Sequence, residues 1–292
     1  MEIGRLGAWA NLDSLPAGAA ADFARRVEGW GYGALWIPES RGRNVLVHAA
    51  FLLSATTRLV VASGIANIYA RDPMAMANGQ KALAEASGNR FLLGLGVSHA
   101  PMVETVRGHA YGKPVATMKA YLEAMGRAPY AGAAPGEKPR TVLAALGPHM
   151  LKLAGERADG AHPYLTTPEH TRRARAILGA GKWLCPEQMV LLETDAGKAR
   201  SAARKSIAFY FQLSNYRNSL LSLGFAEADF ADGGSDRLID SAVAWGDASA
   251  LRRRIQAHWD AGADHVCIQA LKPDGTSGPD ERALQLLAPG AK

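Results

Sequence analysis

Several things are scarce in this 292-residue chain, and each scarcity removes a class of protein. There are only two cysteines, Cys185 and Cys267, each in or beside an apolar strand-like run. Two thiols so placed exclude a disulfide scaffold and a cysteine-rich metal site, and they fit reduced, buried side chains in a cytoplasmic protein. No apolar run reaches membrane-spanning length, and the chain opens on strand-like residues 3–9 without a charged leader. The net charge is a modest +6. The basic residues are scattered; Arg172, Arg173 and Arg175, like Arg252, Arg253 and Arg254, sit in helix-like stretches as solvated faces. No basic stripe with interleaved aromatics appears, which argues against nucleic acid as a partner. Also absent are a G-x-S-x-G elbow, a P-loop, internal repeats, low-complexity linkers and an Asp/His cluster with metal-ligand spacing. Gly94-Leu95-Gly96 lacks the third glycine of a dinucleotide fingerprint.

What is present is apolar and periodic. With 48% hydrophobic and 21% charged residues the chain can bury a large core. Short apolar runs at 3–10, 34–38, 59–65, 91–96, 141–146, 160–162, 189–194 and 265–271 read as eight strands. A helical segment follows each of the first seven. In the first helix Ala20, Phe23, Val27 and Trp30 recur on one face; Ser14 can cap it, Pro16 fits its first turn and Gly31 ends it. Asp195 and Asp247 stand at N-cap positions of later helices. In the second of these, Leu251, Ile255, His258 and Trp259 line one face before Gly262.

Strands this short and apolar predict burial on both faces, hence parallel pairing with crossover helices. Eight such units favour one α/β domain over 1–292, a (β/α)8 TIM barrel; an open doubly wound sheet is the alternative. A longer stretch, 209–245, reads as a helical insertion before the last βα unit, placed to build a lid or a dimer contact.

Active sites of such barrels lie at the C-terminal ends of the strands. Reading those positions in order gives Trp9 and Asn11; Glu39 and Ser40; Asn67, Tyr69 and Arg71; Val97, Ser98 and His99; Gly147 and His149; His162, Pro163 and Tyr164. Several have plainer readings. Glu39 could pair with Arg41 or Arg43, and His99 could cap a helix or bond a loop carbonyl. His48 fits a core histidine and His149 a helix first turn. Arg71 and Asp72 could form an ion pair at a helix start, or hold the loop before them.

The run 64–73 (GIANIYARDP), with 91–98 (FLLGLGVS) and 35–40 (LWIPES), resembles the luciferase-like monooxygenase family, in particular its branch dependent on coenzyme F420. The runs 144–148 and 158–161 fit the same pattern in order and spacing, so the resemblance covers essentially the whole chain. It implies an oxidoreductase moving a hydride between F420 and an organic substrate. FMN-dependent monooxygenation on the same fold is the alternative, and a non-catalytic flavin-binding barrel a second. The resemblance also implies a non-prolyl cis peptide at Gly64–Ile65, forming a bulge beside Asn67 that backs the deazaflavin ring. Val97, Ser98 and His99 match contacts to the ring edge and ribityl chain. Ala145, Leu146 and Gly147 match the backbone near the phosphate, with His162 and Pro163 close to that tail. Relatives of this kind are commonly homodimers acting on small molecules. Where several relatives carry a proton-transferring histidine, this chain has Ser40 after Glu39. Serine without a partner is no general base near neutral pH, which leaves Glu39, His99 or the substrate itself.

Overall fold

The computed structural model describes residues 1–290. The strands, in chain order, are β1 (Leu6–Trp9), β2 (Ala34–Ile37), β3 (Val60–Ser63), β4 (Ala66–Asn67), β5 (Phe91–Gly96), β6 (Thr141–Leu143), β7 (Gly160–Ala161), β8 (Trp183–Leu184), β9 (Glu187–Leu192), β10 (Val243–Gly246) and β11 (Val266–Leu271). The helices are α1 (Ala17–Gly29), α2 (Val45–Ala55), α3 (Pro73–Ala86), α4 (Pro114–Arg127), α5 (Pro148–Arg157), α6 (Pro168–Leu178), α7 (Ala196–Ile207), α8 (Ser214–Ser222), α9 (Asp236–Ala242), α10 (Ala248–Asp260) and α11 (Glu281–Leu287). Helices thus separate most successive strands, the pattern that forces parallel pairing.

Every strand-to-strand ladder is parallel, in a curled sheet ordered β10-β9-β11-β1-β2-β3-β5-β6-β7-β8, with β4 against β5. β8 and β9 are separated only by Cys185 and Pro186, so one run meets β7 through β8 and β11 through β9. Both faces of the sheet are buried. Trp9, Trp36, Ala62, Leu92, Val142, Cys185 and Cys267 cluster on the inner face. Leu35, Ile37, Val61, Leu93, Leu143 and Ile268 pack outward under the helices. Burial on both sides is why these strands read as continuous apolar runs.

A polar thread runs through the inner face. His265 Nδ1 donates to Gly4 O (2.8 Å), and its Nε2 accepts from Trp36 Nε1 (3.0 Å). The Trp36 ring stacks on His162 at 4.2 Å, and His162 Nδ1 donates to Cys185 O (2.8 Å). Burial lowers both histidines to about 4, so both are neutral and each bond fixes a tautomer.

Several element boundaries differ from the sequence expectation. The third strand stops at Ser63 and resumes at Ala66, and the fifth ends at Leu143. The seventh begins at Trp183 instead of 189, because Pro186 breaks the ladder locally without ending the run. Residues 243–246, expected to close the helical insertion, form a strand beside β9. Pro16, not Ser14, holds the N-cap of α1, with extended backbone and no side-chain cap. Asp195 and Asp247 do cap α7 and α10, accepting from Lys198 N and Ala250 N at 2.8 Å.

Candidate active site

The bond Gly64–Ile65 is cis. Its neighbours explain why glycines surround it. Gly94 lies where an added Cβ would be 2.0 Å from Ser63 O, and a Cβ on Gly96 would be 2.5 Å from Ile65 Cδ1. The Gly94-Leu95-Gly96 run therefore admits the neighbouring backbone and the Ile65 side chain. The Ser63 hydroxyl locks the pair, donating to Gly94 O and accepting from Gly94 N, both at 2.9 Å. Beneath the bulge, Trp9 Nε1 donates to Gly64 O at 3.2 Å. His162 Nε2, its bare lone pair, has no partner in the protein and points at Gly64, 3.1 Å from where a Cβ would stand. Trp9, Gly64, Ile65 and His162 thus form one wall.

Glu39 lies behind that wall, its side chain 4% exposed against Arg71 at 9%. Arg71 clasps it with both terminal nitrogens, one bond being 3.0 Å to Oε2. Asn67 N donates to the same oxygen at 2.9 Å, and Val45 N donates to Oε1 at 3.2 Å. A carboxylate has about four lone-pair directions, and here all four are taken. Glu39 therefore ties the end of β2 to β4 and to the start of α2. Its partner is Arg71; Arg43 instead donates to the Leu12 and Leu15 carbonyls. Asp72 makes no ion pair with Arg71 but caps α3 through Ala75 N. Asn67, itself buried, turns its side-chain oxygen onto Tyr69 N (2.9 Å), so its amide serves the turn.

The loop after β5 is held in an unusual shape. Ser98 has φ +58, in the left-handed region that L-residues rarely adopt. Tyr111 donates to Ser98 O at 3.2 Å. Val97 packs against the core, and the His99 ring lies 5.6 Å from Tyr216, with Asn215 bonding its side chain. Burial lowers the His99 pKa, which favours a neutral imidazole. Ser40 is exposed, its carbonyl accepting from Arg107 (3.2 Å), so the structure does not bring its hydroxyl into this group. His149 is likewise exposed, in the first turn of α5.

At the 145–147 segment, His170 Nε2 donates to Leu146 O (2.9 Å). A trans peptide points N–H opposite to C=O, so the Gly147 N–H is turned away from His170. α5 starts at Pro148 with Gly147 as N-cap and no side-chain cap, which leaves its first-turn N–H groups free for an anion. Nothing lies within 4 Å of where a Gly147 Cβ would stand. Ala145 is buried below, and Pro163 O accepts from Glu187 N at 2.9 Å.

Sequence reasoning missed a second group. Tyr164 OH donates to Gln269 Oε1 (2.9 Å) and lies 3.0 Å from Tyr210 OH. Its ring is 5.4 Å from Trp9, and Tyr216 packs edge-on to both tyrosines. Tyr210 and Tyr216 come from the 208–222 segment, so that segment covers one side of the mouth. Glu187 is fully buried nearby. One clue was available: a glutamate inside the apolar run Leu184-Cys185-Pro186-Glu187-Gln188-Met189. Among the described residues, no group of three or more His, Cys, Asp or Glu is placed to hold a metal ion.

A glycine-framed bulge and a helix N-terminus without a side-chain cap thus lie at the strand ends of a parallel α/β sheet. The chain belongs to the luciferase-like monooxygenase family, whose model matches residues 3–265. It is 29% identical over 227 residues to 5,10-methylenetetrahydromethanopterin reductase of Methanolobus tindarius, covering 68% of this chain and 69% of that one. An F420-dependent secondary alcohol dehydrogenase in complex with an F420–acetone adduct superimposes with a TM-score of 0.78 at 15% identity, over 98% of each chain. The oxygenating constituent of 3,6-diketocamphane monooxygenase from Pseudomonas putida, in complex with FMN, gives 0.68 at 14% identity, over 100% and 99%. These two likenesses are of fold.

Proposed function

We propose that this protein is a single-domain (β/α)8 oxidoreductase that moves a hydride between coenzyme F420 and a small organic substrate. The barrel reading rests on the 183–192 run, which meets β7 through β8 and β11 through β9. The segment between α7 and β10 is then the insertion over its mouth. The observations that carry the cofactor reading are the wall at Gly64–Ile65, with Trp9 and His162 against it, and the N-terminus of α5, which follows β6 without a side-chain cap. A flat ring with an anionic tail fits that pair of features, and the greater likeness to the F420-dependent secondary alcohol dehydrogenase than to the FMN-bound monooxygenase supports a deazaflavin over FMN.

In this reading Ile65 backs the ring, Ser98 and His99 meet its edge, and the Gly147 N–H and first turn of α5 take the phosphate. Leu146 O is held out of the way by His170. When bound, the deazaflavin supplies the hydride chemistry, and the protein supplies orientation and exclusion of water. Glu39 and Arg71 act as positioning residues that hold the bulge. The exposed Val47, Phe51 and Met74 on α2 and α3 form the face by which two copies associate as a homodimer. The buried, unpaired Cys185 and Cys267 fit a reducing, cytoplasmic setting.

The test is turnover. Oxidised F420 with a panel of alcohols, and reduced F420 with aldehydes and enones, is followed by the cofactor's absorbance. Bleaching or recovery with at least one substrate is expected. Binding without any turnover would favour a non-catalytic deazaflavin-binding barrel.

A further inference from the structure

Along β11 the side chains alternate between the two faces of the sheet. Cys267 lies on the inner face and Ile268 packs under the helices, so Gln269 returns to the inner face, one step nearer the C-terminal end of the strand. The parallel registers, with Ala8 opposite Ile268 and Met189 opposite Gln269, stand it between Trp9 of β1 and Met189 of β9. Cys267 and Ile268 are fully buried, whereas Gln269 is half-buried, as befits a side chain at the open end of the strands. A primary amide there carries one acceptor oxygen and two N–H donors.

Only the oxygen is engaged. Gln269 Oε1 accepts from the Tyr164 hydroxyl at 2.9 Å. That hydroxyl has a single proton, already given to the amide, so in its 3.0 Å bond to Tyr210 the Tyr210 hydroxyl is the donor. The direction of the chain is thereby set from the covering segment down to β11, and with it the end of the amide that faces the mouth. The amide nitrogen has no partner among the described residues and is open to solvent. The Tyr164 ring that aims it is itself held, 5.4 Å from Trp9 and edge-on to Tyr216. Trp9 also donates to Gly64 O. One side chain therefore touches both the wall at Gly64–Ile65 and the tyrosine that orients the amide.

The surroundings restrict what this donor can take. Trp9, Tyr164 and Met189, which stand beside it, carry no charge near neutral pH. Carboxylates and phosphates are held by charge-assisted donors, above all arginine. A neutral amide N–H between aromatic rings and a thioether matches a neutral acceptor oxygen on an otherwise apolar molecule.

We propose that Gln269 is the specificity-determining residue for the substrate, its Nε2 donating to the carbonyl oxygen of a small, neutral carbonyl compound, with Tyr164 as the positioning residue that aims it. This deepens the oxidoreductase reading and rests on it for the place of that compound beside the cofactor. The amide binds and orients the carbonyl; it neither gives nor takes a proton.

Oxidised F420 has no hydride to give, so the protein with oxidised F420 and cyclohexanone forms a complex that cannot react. The C=O stretch of isotope-labelled cyclohexanone in that complex is read by infrared difference spectroscopy. The bound band is expected at lower frequency in the wild type than in Gln269→Leu, and the Kd for cyclohexanone is expected to rise about tenfold in that variant, the scale of one hydrogen bond. Methylenecyclohexane has the same shape without an acceptor, and is expected to bind both proteins alike. Gln269→Glu keeps an acceptor for Tyr164 but turns an oxygen to the mouth, and is expected to weaken cyclohexanone likewise. Tyr164→Phe leaves the amide free to rotate, and is expected to give a shifted and an unshifted band together. The same band and Kd in Gln269→Leu as in the wild type overturn the assignment. So do equal losses for cyclohexanone and methylenecyclohexane, or a wild type that binds neither. A Gln269-dependent band in a protein that never transfers hydride from reduced F420 to cyclohexanone counts against the oxidoreductase reading and leaves the Gln269 site standing.

Discussion

Replacing Glu39 by alanine strands three groups at once: the Arg71 guanidinium, 9% exposed, and the N–H groups of Val45 and Asn67. Removing one partner of a buried, hydrogen-bonded ion pair costs about 3–5 kcal/mol, and the orphaned amides add to the loss. For a chain of this size each kcal/mol moves the melting temperature by roughly 2–4 °C, so a fall on the order of 10 °C is expected. Glu39→Gln keeps the shape but sets an NH2 group against donors, and is expected to lose about half as much. The double variant Glu39→Met with Arg71→Met removes both charges and is expected to be more stable than either single change. Thermal unfolding followed by circular dichroism checks all four proteins. A Glu39→Ala protein that melts with the wild type would refute the anchoring role. A Glu39→Gln protein that melts normally but turns over slowly would return Glu39 to proton transfer.

Gly64→Ala places a methyl 2.7 Å from Trp9 Nε1, so loss of flavin or deazaflavin binding is expected with a changed tryptophan emission; unaltered affinity would mean the wall lies elsewhere. His170→Ala frees Leu146 O, and is expected to weaken F420 binding about tenfold, the scale of one hydrogen bond, while leaving binding of a tail-less deazaflavin unchanged. His162 and His265 have folded values of about 4, below the ordinary 6.5. Their contribution to stability is present above 6.5 and is lost as the pH falls toward 4, at about 1.4 kcal/mol per pH unit for each. Urea midpoints at pH 7 and pH 5 check this, and His265→Gln, which keeps an acceptor for Trp36, is expected to shallow the slope.

Much of the fold was legible because burial on both faces writes each parallel strand as an apolar run, and because Asp195 and Asp247 cap as aspartates do. The Gly64–Ile65 bulge was legible through resemblance, and Gly94 and Gly96 gain their meaning only from the Ile65 and Ser63 contacts that surround them. The pairing of Glu39 with Arg71 escaped because the two are 32 positions apart, and nearer arginines compete for the same reading. β8 and β10 escaped because a proline interrupts one and a helical context hides the other. The tyrosine group escaped for a different reason. It forms only where the 208–222 segment folds back over the mouth, and no periodicity in the sequence records that approach.

The Trp9 indole lies directly beneath Gly64–Ile65, where the cofactor ring would rest. Titrating the purified protein with F420 and, separately, with FMN while following tryptophan fluorescence tests this most directly. Saturable quenching by F420 at micromolar concentration, abolished in Gly64→Ala and much weaker with FMN, is the predicted result. Tight saturable quenching by FMN with no response to F420 would contradict it.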